Sequence, residues 1–248
     1  MIILSILFFI TAILYSSVGF GGGSSYLALL LIWDIPYYIF PVIALSCNII
    51  VVSSNSYNYI RAGNYSFKLL MPFLLGSIPL AYLGGTLVIK KEIFEILLFL
   101  VLAIAGLLLL INNKSFDDKN IIIKRLNSII SLLIGSVLGV VSGIVGIGGG
   151  IFLSPILLLL KADKPKIIAT TASLFILINS ISGIFGQLTK EVVLNEIFNY
   201  WPLFISVLIG GFLGNFINLK LFSNRALAII TSLLVIFVAI RMGYRIFI

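Results

Sequence analysis

Ten apolar stretches follow one another along the chain, parted by short clusters of charge, proline, asparagine or glycine. They run Ile2–Val18, Ser24–Trp33, Ile39–Ile60, Leu69–Ile89 and Ile93–Ile111, then Leu126–Val145, Ile151–Leu160, Ile167–Leu188, Ile197–Leu219 and Ala226–Ile248. Most reach the roughly 17–25 residues that cross a hydrocarbon core; the second and the seventh are much shorter. From Met1 to Trp33 the chain has 33 residues. As one continuous helix they would measure about 50 Å, where a core of about 30 Å needs only about 20 residues. A helix, a break and a short second helix, free to re-enter, is the solution this length predicts. The fold class expected is all-α: a polytopic transmembrane helix bundle.

The breaks coincide with glycine. Ser16-Ser17-Val18-Gly19-Phe20-Gly21-Gly22-Gly23-Ser24-Ser25 parts the first two stretches, and Ser142-Gly143-Ile144-Val145-Gly146-Ile147-Gly148-Gly149-Gly150 parts the sixth from the seventh. Four glycines in five positions permit positive φ and bare the backbone N–H groups, at about 1 kcal/mol each against alanine inside a helix. Other pieces repeat too: Met71-Pro72-Phe73 answers Trp201-Pro202-Leu203, and at the same offset Tyr82-Leu83-Gly84 answers Phe212-Leu213-Gly214. Two internal repeats are therefore expected, with 1–112 as the first, 113–125 as a polar connecting loop and 126–248 as the second. Each repeat would carry one helix broken at its glycine run.

Composition agrees with the pattern. Of 248 residues, 61% are hydrophobic and only 10% charged, far from the near-half apolar, quarter-charged make-up of soluble domains. Met1–Val18 lacks the basic start and small-residue cleavage site of a signal peptide, so it is read as a retained first span. The net charge of +8 is spread over short connections and segment ends, as orientation signals and anionic headgroups require. No stretch is long enough to gather it into a nucleic-acid-binding face. A single cysteine, Cys47, forms no intramolecular disulfide, and the absence of histidine removes His-ligated metals, haem and histidine-based triads. No cofactor and no metal are expected; the partners expected are the lipid bilayer and a small anionic substrate, with homo-oligomerisation left open. Orientation is not legible: counting each broken unit as one crossing puts nine Lys and Arg on one side and seven on the other.

Irregular backbone survives at membrane depth only where protein or a wet cavity satisfies it, and paired interrupted segments in two halves point to a transporter's binding site. Helix N-termini at such breaks carry about half a positive charge and free N–H groups. Packing alone could also use these glycines, but their density ahead of a short helix favours a site. The binding candidates are Gly19, Gly21, Gly22, Gly23 and Ser24 with Gly146, Gly148, Gly149 and Gly150. To these are added the polar residues of the following segments, Ser46, Asn48, Thr170, Thr171 and Ser173. No Lys, Arg, Asp or Glu need lie at the bilayer centre, so neither a proton relay nor charge-based capture is in view.

The paired runs Gly19-Phe20-Gly21-Gly22-Gly23 and Gly146-Ile147-Gly148-Gly149-Gly150, each opening a half of about four hydrophobic segments, resemble the sulfite exporter TauE/SafE family. Leu83-Gly84, Leu213-Gly214, Pro155 and Thr170-Thr171-Ala172-Ser173 fit it as well, while Ser46-Cys47-Asn48 stands where that family would carry a threonine-rich step. The resemblance implies a secondary transporter of duplicated halves for sulfite, sulfonates or related organosulfur anions, and not an enzyme. It would sit in the plasma (inner) membrane of a prokaryote. An anion channel and a non-transporting membrane assembly protein are the alternatives.

Overall fold

The computed structural model describes residues 1–16, 20–111, 123–124, 126–217 and 224–247. Among them the regular structure is all helical. The first half holds α1 (Ile2–Ser16), α2 (Gly23–Ile32), α3 (Phe40–Arg61), α4 (Phe67–Thr86) and α5 (Lys91–Ile111). The second holds α6 (Ser128–Val145), α7 (Gly150–Leu159), α8 (Pro165–Gln187), the single-turn-and-a-half α9 (Glu191–Glu196), α10 (Trp201–Ile217) and α11 (Asn224–Phe247). Five segments among the described residues are long and apolar enough to cross a membrane: Tyr37–Arg61, Phe67–Thr86, Ser128–Val145, Pro165–Gln187 and Glu191–Asn215.

Polarity is inside out. Ile2, Ile3, Ile6 and Ile10 of α1 and Ile93, Ile96, Leu100 and Ile104 of α5 are exposed, whereas Asn48, Ser77, Ser142, Asn179 and Ser180 are buried. Lipid solvates the outer isoleucines as well as a core would, so association rests on close backbone approach. The four-residue spacing of Gly135, Gly139 and Gly143 supplies it on α6. A Cβ at these three positions would strike the carbonyl oxygens of Phe73, Ser77 and Ala81 on α4. On α10, Gly210 and Gly214 do the same against the Phe9 and Ile13 carbonyls of α1, both at 2.5 Å. In both pairs the residue numbers rise together, so α4 runs parallel to α6 and α1 to α10.

Two other pairs run opposite ways. On α3 and α8, Ser56 meets Ser173 at 3.1 Å, Leu45 faces Gly183, and Asn58 and Ala62 share a cavity with Lys166. On α5 and α11, Gly106 lies against Ile236 and Phe99 against Gly243, with Ser232 Oγ donating to the Gly106 carbonyl at 2.9 Å.

The short helices turn back. Lys124, just ahead of α6, donates its N–H to the Lys161 carbonyl just after α7 at 3.0 Å, so α6 and α7 form a hairpin that returns to the face it left. At the opposite face Met1 and Ile2 lie beside Trp201 and Pro202. Tyr38, beyond α2, donates to Glu196 Oε1 at 2.6 Å on that same face. These directions sort the connections into two faces. Among the described residues, the one holding Arg61, Lys68, Lys124 and Lys161 carries seven Lys and Arg and one acid. The one holding Lys90, Lys91 and Lys190 carries five of each sign. Among the described residues the whole formal excess of six therefore belongs to one face.

Candidate functional site

The residues between α6 and α7 are not helical, and three glycines account for their path: Gly146, Gly148 and Gly149 take φ of 88°, 79° and 76°. That left-handed region costs an L-residue with a Cβ about 1–2 kcal/mol, so the reversal into α7 is built on glycine. Gly22, with φ 82°, plays the same part ahead of α2. Gly19 lies outside the described residues.

Each short helix opens in the same way. The N–H groups of Ser25 and Tyr26 bond the Gly22 carbonyl at 2.9 and 3.0 Å, and those of Phe152 and Leu153 bond the Gly149 carbonyl at 3.2 and 3.1 Å. The N–H groups of Gly23 and Ser24, and of Gly150 and Ile151, stand ahead of these first bonded turns, at the positive ends of two ten-residue helices.

The two openings meet at Asn48. A Cβ on Gly23 would lie 2.7 Å from the Ile147 carbonyl oxygen and 2.8 Å from Asn48 Nδ2; one on Gly21 would lie 2.5 Å from Asn48 Oδ1. From the other run, a Cβ on Gly148 would lie 2.8 Å from Asn48 Nδ2, 3.0 Å from Ile176 Cγ2 and 3.3 Å from Ser180 Oγ. Asn48 is fully buried near the middle of α3. Its Nδ2 makes one long bond, 3.4 Å, to the Ile147 carbonyl, and its Oδ1 has no partner, as is true of Ser180 Oγ. An orphaned buried polar atom costs about 1–3 kcal/mol, so the amide is not there for stability.

The other candidates divide. Ser24 is buried at the second position of α2; Ser46 is half-buried on α3. Gly150 packs against Ile176 and the Ala172 carbonyl, while Gly149 faces the Phe175 ring and Gly22 the rings of Tyr15 and Tyr26. The hydroxyls of Thr170 and Thr171 bond the Lys166 and Ile167 carbonyls of their own helix at 2.9 and 2.8 Å. Ser173 turns to Ser56. None of these three hydroxyls is drawn to the glycine runs by a bond. Ile176 and Ser180, which do border the runs, were not singled out as site residues in the sequence. Ser180 was visible as a hydroxyl in an apolar stretch; nothing marks Ile176, because an isoleucine facing a site and one facing lipid look alike.

Comparison with known proteins gives a consistent picture. The profile of the family described as sulfite exporter TauE/SafE matches residues 4–242. The "Probable membrane transporter protein y4hK" of Sinorhizobium fredii is 28% identical over 232 residues, covering 93% of this chain and 93% of its own. The "Probable membrane transporter protein MJ0441" of Methanocaldococcus jannaschii is 29% identical over 198 residues, 76% of this chain and 73% of its own. No solved structure matches the chain.

Proposed function

Because the chain belongs to the sulfite exporter TauE/SafE family, a family of multi-pass membrane transporters, we propose that it is a secondary transporter for a small sulfur-containing oxyanion, which binds between the two glycine breaks. The substrate class is sulfite, a sulfonate or a related organosulfur anion. The two halves are read as repeats of opposite orientation. The antiparallel pairing of α3 with α8 and of α5 with α11 supports this, as does the way α1 lies on α10 while α6 lies on α4. Inverted halves with interrupted helices at their interface are the architecture in which one site serves two faces.

The observation that supports the site is the Asn48 side chain, flanked by Gly21 and Gly23 of one run and Gly148 of the other, whose Nδ2 is held by a single long bond of 3.4 Å and has a second N–H to donate. Two helix N-termini supply positive potential there without a buried cation, whose desolvation would be costly. An amide adds directional donors and adapts to tetrahedral or pyramidal oxyanions alike. Holding the anion with dipoles also leaves it free to depart, as a carrier requires.

The test is a flux and thermal-shift screen of sulfite, sulfate, thiosulfate, taurine and sulfoacetate on purified protein in proteoliposomes, with Asn48→Leu beside wild type. The leucine keeps the volume and removes the Nδ2 donor. Expected is saturable flux of at least one of these anions in wild type and its loss in a folded Asn48→Leu protein. Wild-type flux in the variant, or no flux and no stabilisation by any of the five, would overturn the proposal.

A further inference from the structure

A second polar chamber opens on the lysine-rich face. It is a cavity of about 550 Å³, lined among others by Asn55, Asn58, Asn215, Lys166 and Ser16. Asn58 Nδ2 donates to Asn215 Oδ1 at 2.8 Å, and Asn215 Nδ2 donates to Ser54 Oγ at 2.5 Å. Asn55 is only 5% exposed, yet its Nδ2 has no partner. Lys166 is exposed and has no acidic partner within salt-bridge distance among the described residues. It stands in the first turn of α8, with Lys164 at the N-cap, where a cation opposes the helix dipole. That placement is unfavourable for the cation and is eased by a negative group nearby; Asp163 Oδ1, which accepts from the Lys164 N–H at 2.7 Å, is one, and an anion in the chamber would be another.

The opposite face shows that the helices do not need this chamber. In the register of the proposed repeat, Gly84 answers Gly214, so the next position sets Gly85 against Asn215. Gly85 is pressed to backbone: a Cβ there would lie 2.5 Å from the Gly183 carbonyl oxygen and 3.0 Å from Gly186 Cα. Beside that seam Gln187 Nε2 donates to the Gly143 carbonyl at 2.7 Å. Lys190 Nζ donates to Gln187 Oε1 at 2.9 Å. So α4 and α8 close glycine on glycine, whereas α10 and α3 are bridged by the Asn58–Asn215 bond beside a cavity that Asn55 also lines. Ser16, the last residue of α1, lines that cavity immediately ahead of the first glycine run.

We propose that this chamber is a second anion site, a vestibule on the cytoplasmic side. There the Asn55 amide and Lys166 hold a small soluble oxyanion before it passes to the glycine breaks. The side follows from charge: short connections rich in Lys and Arg stay in the cytoplasm, and the chamber opens on the face carrying the whole positive excess of the described residues. The inference rests on the transporter reading above, but it is separable from it, because vestibule occupancy can be read without transport.

The experiment places a thiol in the chamber as Ala169→Cys; Ala169 lines the cavity, and the native Cys47 is buried. A membrane-impermeant maleimide is applied to inverted membrane vesicles and to intact cells, and then to purified protein in phosphatidylcholine vesicles with sulfate or methanesulfonate present. Labelling is expected from the cytoplasmic side, slowed about 5-fold or more by saturating anion, as mass action requires of a blocked site. Lys166→Gln should raise the sulfate needed for protection about 10-fold, the order expected for one charge-assisted contact; Asn55→Leu should act in the same direction. Asn48→Leu should lose flux and keep protection.

Protection in a wild-type protein that moves none of the anions would sink the central-site reading and leave the vestibule standing. Four results would overturn the vestibule: no protection by either anion, protection indifferent to Lys166→Gln, protection lost with Asn48→Leu, or labelling only from outside. Protection by phosphatidylglycerol in the absence of sulfate would hand the chamber to a lipid headgroup and overturn it equally.

Discussion

Alanine at Gly148 isolates what the reversal ahead of α7 demands, provided the backbone cost is measured separately. Gly63 supplies that measurement. Both glycines hold left-handed backbone, with φ of 79° at Gly148 and 72° at Gly63. A Cβ at Gly63 would meet nothing within 4 Å, whereas one at Gly148 would lie 2.8 Å from Asn48 Nδ2, 3.0 Å from Ile176 Cγ2 and 3.3 Å from Ser180 Oγ. Gly63→Ala should therefore lose only the left-handed penalty, about 1–2 kcal/mol. Gly148→Ala should lose that and a further ~1–3 kcal/mol for overpacking, because Asn48 must rotate and give up its bond to the Ile147 carbonyl. The difference between the two variants is thus the quantity of interest, about 1–3 kcal/mol.

The assay is unfolding in detergent, where each kcal/mol moves the midpoint by about 2–4 °C for a chain of this size, alongside oxyanion flux per folded molecule. Asn48→Ala, alone and combined with Gly148→Ala, closes the cycle. Shortening Asn48 makes room for the new methyl, so the double variant should recover about 1 kcal/mol or more of the loss, a coupling typical of touching residues. Flux should be normal in Gly63→Ala and lost in Gly148→Ala. Equal midpoints and equal flux for the two glycine variants, with additive effects in the double, would refute the reasoning. The runs would then not converge on Asn48 in the membrane.

Three further outcomes are expected. Gly139→Ala, whose methyl would strike the Ser77 carbonyl, should destabilise by about 1–3 kcal/mol. Gly211→Ala, with only Val51 at 3.8 Å, should be neutral or stabilising by up to about 1 kcal/mol, and the reverse order in unfolding midpoints would contradict the α4–α6 seam. Lys190, in the turn between α8 and α9, has its pKa lowered to about 8 by burial; between there and the ordinary lysine range the unfolded chain binds more protons, so stability should rise with pH across that window. Lys190→Met should flatten that slope, and an unchanged slope would assign it elsewhere. Finally, since no acid need lie at membrane depth, any coupled proton rides on the substrate. Sulfite flux should then follow its protonated form as pH varies at fixed potential, while a sulfonate's should not; equal steep dependence for both would require a carboxylate in the path.

Why some of this was readable in the sequence and some was not comes down to what lipid distinguishes. Spans were legible because the bilayer demands apolar length, and the segments from Phe67 to Thr86 and from Pro165 to Gln187 lie within a few residues of where apolarity and proline put them. Asn48 was legible as a candidate because an amide among Ile, Val and Leu has no reason in lipid. Thr170 and Thr171 have a local role as well, since a hydroxyl in an apolar helix can satisfy itself on the carbonyl four residues back, and both do. Orientation was illegible for a different reason. A ten-residue apolar helix has the same pattern whichever way it runs, and whether α7 crosses or returns decides where Lys161, Lys164 and Lys166 are counted. The single bond from Lys124 N–H to the Lys161 carbonyl moves Lys161, Lys164 and Lys166 to the face that holds Arg61 and Lys68. The same dependence governs the asparagines. That Gly85 and Asn215 occupy matching places could be read by eye beside Tyr82-Leu83-Gly84 and Phe212-Leu213-Gly214. The substitution acquires meaning only once α3 and α8 run antiparallel, because then the two positions face opposite sides of the membrane. Gly85 lies against the Gly183 carbonyl at one, and Asn215 lines a cavity at the other.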